Sequence, residues 1–95
     1  MIELLDTNYK IVKGKENFNL SDIETLFTEY FLEYDYILGD YAYTKLRLKG
    51  FNVSNKKTTK KINDIKYLDN YIKDYCAYGA KTFLLKKCWG NFLKF

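Results

Sequence analysis

The sequence has no histidine and no proline, only two cysteines, and a single arginine, Arg47. Without histidine, no imidazole is available as the base of a Ser-His-Asp set or of a cysteine nucleophile. Two cysteines cannot supply the four ligands of an ordinary structural zinc site. We therefore expect no catalytic residues, no metal and no cofactor. Whether the protein is an enzyme is left open, and we favour that it is not.

Long apolar runs are also missing. No stretch approaches the roughly 18 apolar residues of a membrane span, and the first residues lack the basic and apolar regions of a secretion signal. We expect a cytoplasmic protein without a membrane partner, and reduced thiols at Cys76 and Cys88. Cys76 lies near the end of a predicted helix, where the dipole does not stabilise a thiolate, which favours a structural thiol over a nucleophile.

The composition that is present predicts one packed domain, residues 1–95. The chain is 47% hydrophobic and 19% aromatic over 95 residues, which is typical of a globular core and not of disorder. The net charge of +4 permits contact with nucleic acid or an acidic protein. Abundant Lys, Asn, Tyr and Ile also match the codon bias of an AT-rich genome, and we favour that cause of the basic charge.

Residues 34–51 are the stretch around which the chain is organised. Two runs of strand-forming residues flank Gly39-Asp40, which predicts a β-hairpin that turns at this dipeptide. If Tyr36 lies opposite Leu46 and Tyr34 opposite Leu48, both apolar sets are buried on one face. A shift of one residue would expose one set to water, so the pattern selects this register.

Asp35 and Asp40 are the two acids of this stretch. In the predicted register Asp35 lies opposite Arg47 and forms a cross-strand ion pair, while Asp40 caps the turn after Gly39 by bonding its own backbone. The same two carboxylates could instead hold a metal or act as acid and base. We favour the structural interpretation.

The hairpin resembles the YutD-like family of small bacterial proteins. The resemblance spans roughly residues 8 to 87 and implies no particular activity. Its motifs are Tyr34-Asp35-Tyr36-Ile37-Leu38-Gly39-Asp40, Tyr43, Leu46-Arg47-Leu48-Lys49-Gly50-Phe51, Tyr75-Cys76, Gly79 and Phe83-Leu84-Leu85-Lys86. The family usually has Trp at Tyr41, Gly at Ala42 and Thr44, and often Cys at Ala80. The missing cysteine argues against a role that needs a second thiol there.

The other segments complete an α+β domain. Residues 1–5 are either an extra strand or a frayed end. Ser21 and Glu24 have the spacing of a capping box at the start of the first helix. Further predicted elements are strand 8–13, a flexible basic loop at 52–63, a helix from about Asp64 to Cys76 ended by Gly79, strand 82–86, and an aromatic tail at 88–95. The order β-α-β-β-α-β predicts a mainly antiparallel four-stranded sheet with two helices packed on it.

Two apolar helix faces and one buried strand fill the predicted core. Phe83, Leu84 and Leu85 form an unbroken apolar run, which is typical of a central strand covered on both faces. The inner faces of the helices are predicted at Ile23, Leu26, Phe27, Tyr30 and Phe31, and at Ile65, Leu68, Ile72 and Tyr75.

A basic row is predicted along the second hairpin strand, from Lys45 through Arg47 to Lys49, with Tyr41 and Tyr43 near its end. A basic sheet face beside aromatic rings can bind single-stranded RNA by stacking and phosphate contact. A solvent-exposed sheet face that binds nothing has the same composition, and we favour that interpretation. The lysine-rich loop 52–63 could likewise clamp phosphates. Such loops are usually soluble and disordered without binding a ligand, and we favour that interpretation.

Together these patterns predict a small binding or adaptor module that acts through the 34–51 hairpin surface on a protein or an RNA–protein assembly. The alternative is direct RNA binding through the basic row and the lysine loop. The oligomeric state is left open. The candidate binding residues are Asp35, Asp40, Tyr41, Tyr43, Lys45, Arg47 and Lys49.

Overall fold

The computed structural model describes residues 1–76 and 79–88. Its strands are β1 (Ile2–Leu4), β2 (Thr7–Lys13), β3 (Tyr36–Ala42), β4 (Lys45–Phe51) and β5 (Thr82–Lys87), and its α-helices are α1 (Leu20–Leu26) and α2 (Leu68–Tyr75). All strand pairs are antiparallel in the order β1-β2-β5-β3-β4. Apart from Cys88, the predicted aromatic tail lies outside the described residues.

The α+β class is confirmed, but the prediction of four strands is wrong. The extra strand is β1, formed by the first residues and paired with β2 through Ile2 and Tyr9. Leu4 is 3% exposed and joins the core, so this short strand is held by its side chains as well as its backbone. The order along the chain is therefore β-β-α-β-β-α-β.

β5 is the central strand and confirms the prediction from its unbroken apolar run. Phe83, Leu84 and Leu85 are all buried. Because successive side chains of a strand point to opposite faces, an uninterrupted apolar run requires cover on both sides of the sheet. The rest of the fold supplies that cover.

Each face of the sheet has its own apolar cluster. The α1 face, defined by Tyr9, Ile37, Phe83 and Leu85, is covered by Ile23 of α1 and by Phe27 just after it. The α2 face, defined by Leu38, Phe51 and Leu84, is covered by Leu68 of α2. Alternate side chains of β3 and of β4 therefore belong to the α1 face or to the α2 face.

The first helix differs from its prediction at both ends. Its N-cap is Asn19, whose Oδ1 accepts a hydrogen bond from the Asp22 amide at 3.1 Å, and not Ser21. The helix ends at Leu26 because Phe27 is extended, and a 3₁₀ helix follows at Glu29–Glu33. The break turns Leu26 and Tyr30, both predicted inward, toward solvent.

The second helix is shorter than predicted. A 3₁₀ turn at Ile65–Tyr67 comes first, with the Asp64 carboxylate accepting from the Lys66 amide at 3.0 Å, and α2 then ends at Tyr75. Leu68 is buried as predicted, but Tyr75 is 64% exposed. Gly79 has the expected left-handed φ of 72°, although α2 ends before it.

The hairpin of residues 34–51 is confirmed, but both its turn and its register were predicted wrongly. The turn lies at Tyr43-Thr44, where Tyr43 has a φ of 62°. Gly39 lies in the middle of β3, where a Cβ atom would be 2.2 Å from Cζ of Phe83, so packing and not a turn requires glycine.

The observed register separates the side chains that were expected to meet. Tyr36 lies opposite Phe51, and Leu46 lies opposite Tyr41, which puts Tyr36 and Leu46 on opposite faces. Leu48 lies opposite Gly39, not opposite Tyr34, which precedes the strand. The partner of Tyr36 is therefore five residues further along the chain than predicted, and every cross-strand pair changes with it.

The loop 52–63 is closed at its base by a parallel bridge between Asn52 and Asp64. The Asn52 amide donates to the Asn63 carbonyl at 2.7 Å, and the Ile65 amide donates to the Asn52 carbonyl at 2.9 Å. A 3₁₀ turn at Lys61–Asn63 ends the segment. Flexibility of the part between these anchors stays a prediction.

Candidate nucleic-acid or protein interface on the hairpin

The basic row Lys45, Arg47 and Lys49 lies on one face of β4, because the three residues alternate along the strand. It is the α2 face, so the row borders packed side chains and is not a wholly free surface. The Lys49 Nζ atom lies 5.4 Å from the ring centre of Phe51 and 5.9 Å from that of Tyr71. Lys45 is exposed at the start of the strand and forms no ion pair with any residue in 1–76 or 79–88.

Asp40 pairs with Arg47 directly across β3 and β4. The Arg47 guanidinium donates to Oδ2 of Asp40 through Nη2 at 2.6 Å and Nε at 3.2 Å, and Nη2 also reaches the Tyr75 carbonyl at 3.2 Å. The hydrogen bond to Asp40 raises the pKa of Arg47. Asp40 is 2% exposed in mid-strand, so its predicted role as a turn cap is wrong.

Asp35 does not touch Arg47, and that predicted pair is also wrong. Its carboxylate Oδ2 accepts from the Val53 amide at 3.0 Å, and Oδ1 lies 3.6 Å from Nζ of Lys56. Its own amide donates to Oδ1 of Asn52 at 3.1 Å. Asp35 therefore fastens the start of the loop 52–63 to the residues before β3.

The two carboxylates have separate partners, which argues against a shared acid–base or metal role for them. Asp40 serves the end of α2 through Arg47, and Asp35 serves the loop through Lys56 and the amide of Val53. Within residues 1–76 and 79–88, no three His, Cys, Asp or Glu side chains are grouped to hold a metal.

Tyr41 and Tyr43 are placed very differently although they are two residues apart. Tyr41 points to the α1 face, where its hydroxyl donates to Oδ2 of Asp22 at 2.7 Å. Burial, together with the bond to that carboxylate, raises the pKa of Tyr41 to about 12. Tyr43 is 99% exposed at the turn, so its ring is open to a partner.

The lysines of the loop 52–63 are not a uniform set. Lys56 donates to the Glu33 carbonyl at 3.0 Å and to Oδ1 of Asn52 at 3.3 Å, in addition to its ion pair with Asp35. The Lys61 Nζ atom lies 5.5 Å from the ring centre of Tyr67. Both lysines therefore have structural contacts before any phosphate is bound.

Sequence reasoning missed an aromatic surface on α2 and the 3₁₀ turn before it. Tyr67, Tyr71 and Tyr75 line one side of an open cavity of about 360 Å³, with Ile62 beside them. The rings of Tyr71 and Tyr75 are stacked with centres 5.0 Å apart. The signal was the spacing of four residues between these tyrosines, which places them on one side of a helix.

Cys76 follows α2 directly and is a free thiol, as is Cys88. Burial, and the nearby Asp40 carboxylate, raise the pKa of the Cys76 thiol. A raised pKa lowers the thiolate fraction at neutral pH, which is unfavourable for a nucleophile.

No helix within 1–76 and 79–88 is both long and apolar enough to cross a membrane.

Taken together, fold and surface define a small α+β protein whose outer hairpin strand has a row of basic side chains. The chain belongs to the YutD-like family: the family described as "Putative antitoxin YutD-like" matches residues 3–86. It is 37% identical over 89 residues to "Putative antitoxin YutD" of Bacillus subtilis strain 168, covering 92% of this chain and 97% of that protein.

The fold is similar to a solved structure of the same family. The solution NMR structure of YutD from B. subtilis superposes with a TM-score of 0.75 at 33% sequence identity. The alignment covers 94% of this chain and 82% of that one. The likeness therefore extends over most of both chains and is not limited to the hairpin.

Proposed function

We propose that this chain is an antitoxin-type binding protein that acts on a protein partner in the cytoplasm through the surface of the β3–β4 hairpin. The observation that carries the proposal is the match to the B. subtilis protein named "Putative antitoxin YutD", which spans nearly the full length of both chains. An antitoxin that is itself a protein of this size counteracts its toxin most directly by binding it.

The hairpin is the surface we assign to this binding because it combines exposure with charge. Tyr43 is exposed at the tip, and large exposed aromatic side chains are frequent anchors in protein interfaces. Lys45 and Lys49 follow along β4 and favour an acidic partner by electrostatic attraction. Asp40 and Arg47 support this surface by holding β3, β4 and the end of α2 together.

The test is a crosslink in living bacteria, followed by identification of the proteins and RNA joined to the chain. We expect one protein partner at comparable amount, whose expression alone arrests growth and whose co-expression with this chain restores it. Recovery of no protein partner, or of one that is harmless when expressed alone, would contradict the antitoxin proposal.

Direct RNA binding is the second candidate, and the exposed ring of Tyr43 beside Lys45 is the observation that favours it. Two other residues of that hypothesis are engaged internally, because Arg47 binds Asp40 and Tyr41 binds Asp22. If RNA is the ligand, affinity falls steeply with salt, and Tyr43→Ala with Lys45→Glu removes most of it. Affinity for mixed RNA that these changes leave intact would exclude this surface.

A further inference from the structure

The outer edge of β4 has backbone groups that no described residue uses. β4 is the last strand of the sheet order, and among the strands of residues 1–76 and 79–88 it pairs only with β3. In an antiparallel pair, alternate residues direct their N–H and C=O groups toward the partner strand, and the residues between them direct these groups away. Two independent contacts establish which residues of β4 point outward.

The first contact is on β3, where the Tyr41 amide donates to the Lys81 carbonyl at 3.0 Å, on the β5 side. The backbone N–H and C=O groups of odd-numbered residues of β3 therefore point toward β5. Those of even-numbered residues, including Asp40 opposite Arg47, point toward β4. The second contact is at the end of β4, where the amide and carbonyl of Asn52 both bond outward, to Asn63 and Ile65. Both observations assign Leu46, Leu48 and Gly50 to the outward set.

The chain already uses the last position of this edge in the manner of an added strand. The bridge between Asn52 and Asp64 is a single parallel pairing on the outer side of the extended β4. Before it, Leu46 and Leu48 offer two amides and two carbonyls that make no hydrogen bond to residues 1–76 or 79–88, whereas Gly50 is buried against the ring of Tyr34. Such a row is a template for an extended segment of another protein.

The side chains that border this edge specify what the added segment carries. On the α2 face its neighbours are Lys45 and Lys49, which attract acidic residues at alternate positions, while Arg47 between them is paired with Asp40. On the α1 face its neighbours are Leu46 and Leu48, both only partly buried. Beside Leu46, a shallow cavity of about 280 Å³ is also lined by Leu26, whose side chain is 41% exposed.

We propose that the outer edge of β4 binds an extended segment of the partner protein by strand addition, and that this segment alternates acidic with apolar residues. This rests on the proposed function, since it names how the protein partner is held. A second copy of this chain fits poorly, because antiparallel pairing of two β4 strands would set lysine and arginine side chains against each other. The same basic residues that repel a copy attract an acidic strand.

The probe is a synthetic peptide of seven residues, the length of β4, with glutamate and valine alternating. We expect it to bind the full chain more weakly as salt is raised, with the largest amide shift changes at Leu46 and Leu48. A peptide alternating lysine with valine is expected not to bind. Equal binding of the two peptides, no binding of either, or shift changes confined to α2 would overturn the proposal.

The matched variants are Lys45→Glu/Lys49→Glu on β4 and Lys10→Glu/Lys13→Glu on β2. Both change the net charge equally, but β2 is separated from β4 by β5 and β3. The β4 variant is expected to weaken peptide binding on the order of tenfold, since each pair changes from attraction to repulsion, and the β2 variant to leave it nearly unchanged. Equal losses of peptide affinity in both variants would show that net charge alone controls binding, and this would overturn the proposed site.

Because Lys49 also lies over two aromatic rings, Lys45→Glu alone is the variant least able to disturb the fold. It is expected to weaken binding of the acidic peptide, as the double variant does, and to leave the thermal unfolding transition unchanged. Self-association of the wild type that the peptide cannot displace would assign the edge to a second copy and contradict the proposal. Peptide binding as described without any protein partner in cells would contradict the antitoxin function and leave the edge site standing.

Discussion

The two edge strands of the sheet, β1 and β4, differ in length and in what holds them. β1 has three residues, and its Leu4 is buried in the core of the α1 face. β4 has seven residues, with Leu46 and Leu48 only partly covered and basic side chains along the other face. Short edge strands give little template for pairing, whereas long ones invite it unless they are guarded. The comparison indicates that β1 closes the fold and that β4 is the edge available to a partner.

The largest expected effect contrasts the apolar anchors of the two edges. Leu4→Ala leaves a cavity in the core and should lower the free energy of unfolding by about 2–5 kcal/mol. Leu46→Ala removes a side chain that is already part-exposed, and the expected loss is about 1 kcal/mol. Urea titrations of both variants measure the difference, and equal losses would remove the distinction between a closing edge and an available one.

The next effect concerns the ion pair that fastens β4 to β3. Arg47→Gln leaves the Asp40 carboxylate, 2% exposed, without its charged partner, and should cost about 1–3 kcal/mol. Lys45→Gln on the same face is the control, since a surface change of this kind stays within about 0.5 kcal/mol. If both variants unfold at the same urea concentration, Asp40 and Arg47 do not stabilise the hairpin as the geometry indicates.

The smallest effect is read from two tyrosines, each paired with one edge strand. Tyr9 lies opposite Ile2 of β1, and Tyr41 lies opposite Leu46 of β4. The pKa of each is raised to about 12, by burial alone for Tyr9 and by burial with the bond to Asp22 for Tyr41. Asp22→Asn should therefore lower the pKa of Tyr41 toward 10.0 and leave that of Tyr9 near 12.

The sign of the accompanying stability change follows from the direction of these shifts. A raised pKa means that the folded state holds its proton more tightly than the unfolded state. The contribution of each tyrosine to the free energy of unfolding is complete below pH 10, the ordinary tyrosine pKa. It is lost as the pH rises toward about 12. Ring resonances followed by NMR across this range assign each titration. A Tyr41 titration unmoved by Asp22→Asn would show that the carboxylate has no part in it.

Local patterns in the sequence predicted the hairpin, the central strand β5 and the two helices, because each rests on neighbouring residues. The turn was misplaced because Gly39-Asp40 has the composition of a turn. In the fold, Gly39 makes room for the ring of Phe83, and the left-handed position is taken by Tyr43, a residue that rarely adopts it. Neither fact is visible without the tertiary contacts.

The candidate site followed the same rule. The basic row was correctly grouped, since residues two apart on a strand share a face. The partners of Asp35 and Asp40 could not be read from the sequence, because they depend on the register and on the path of the loop 52–63. The open backbone of Leu46 and Leu48 depends on the strand order, which sequence periodicity does not encode.

Amide hydrogen exchange along β4 tests the central claim most directly, because it reports the direction of each backbone N–H. In the free chain, the amides of Leu46 and Leu48 should exchange fast, and those of Arg47 and Lys49 slowly. Binding of the acidic partner segment should then protect the fast set. Uniform protection of these four amides in the free chain, or fast amides that stay fast when the partner is bound, would contradict an edge that binds by strand addition.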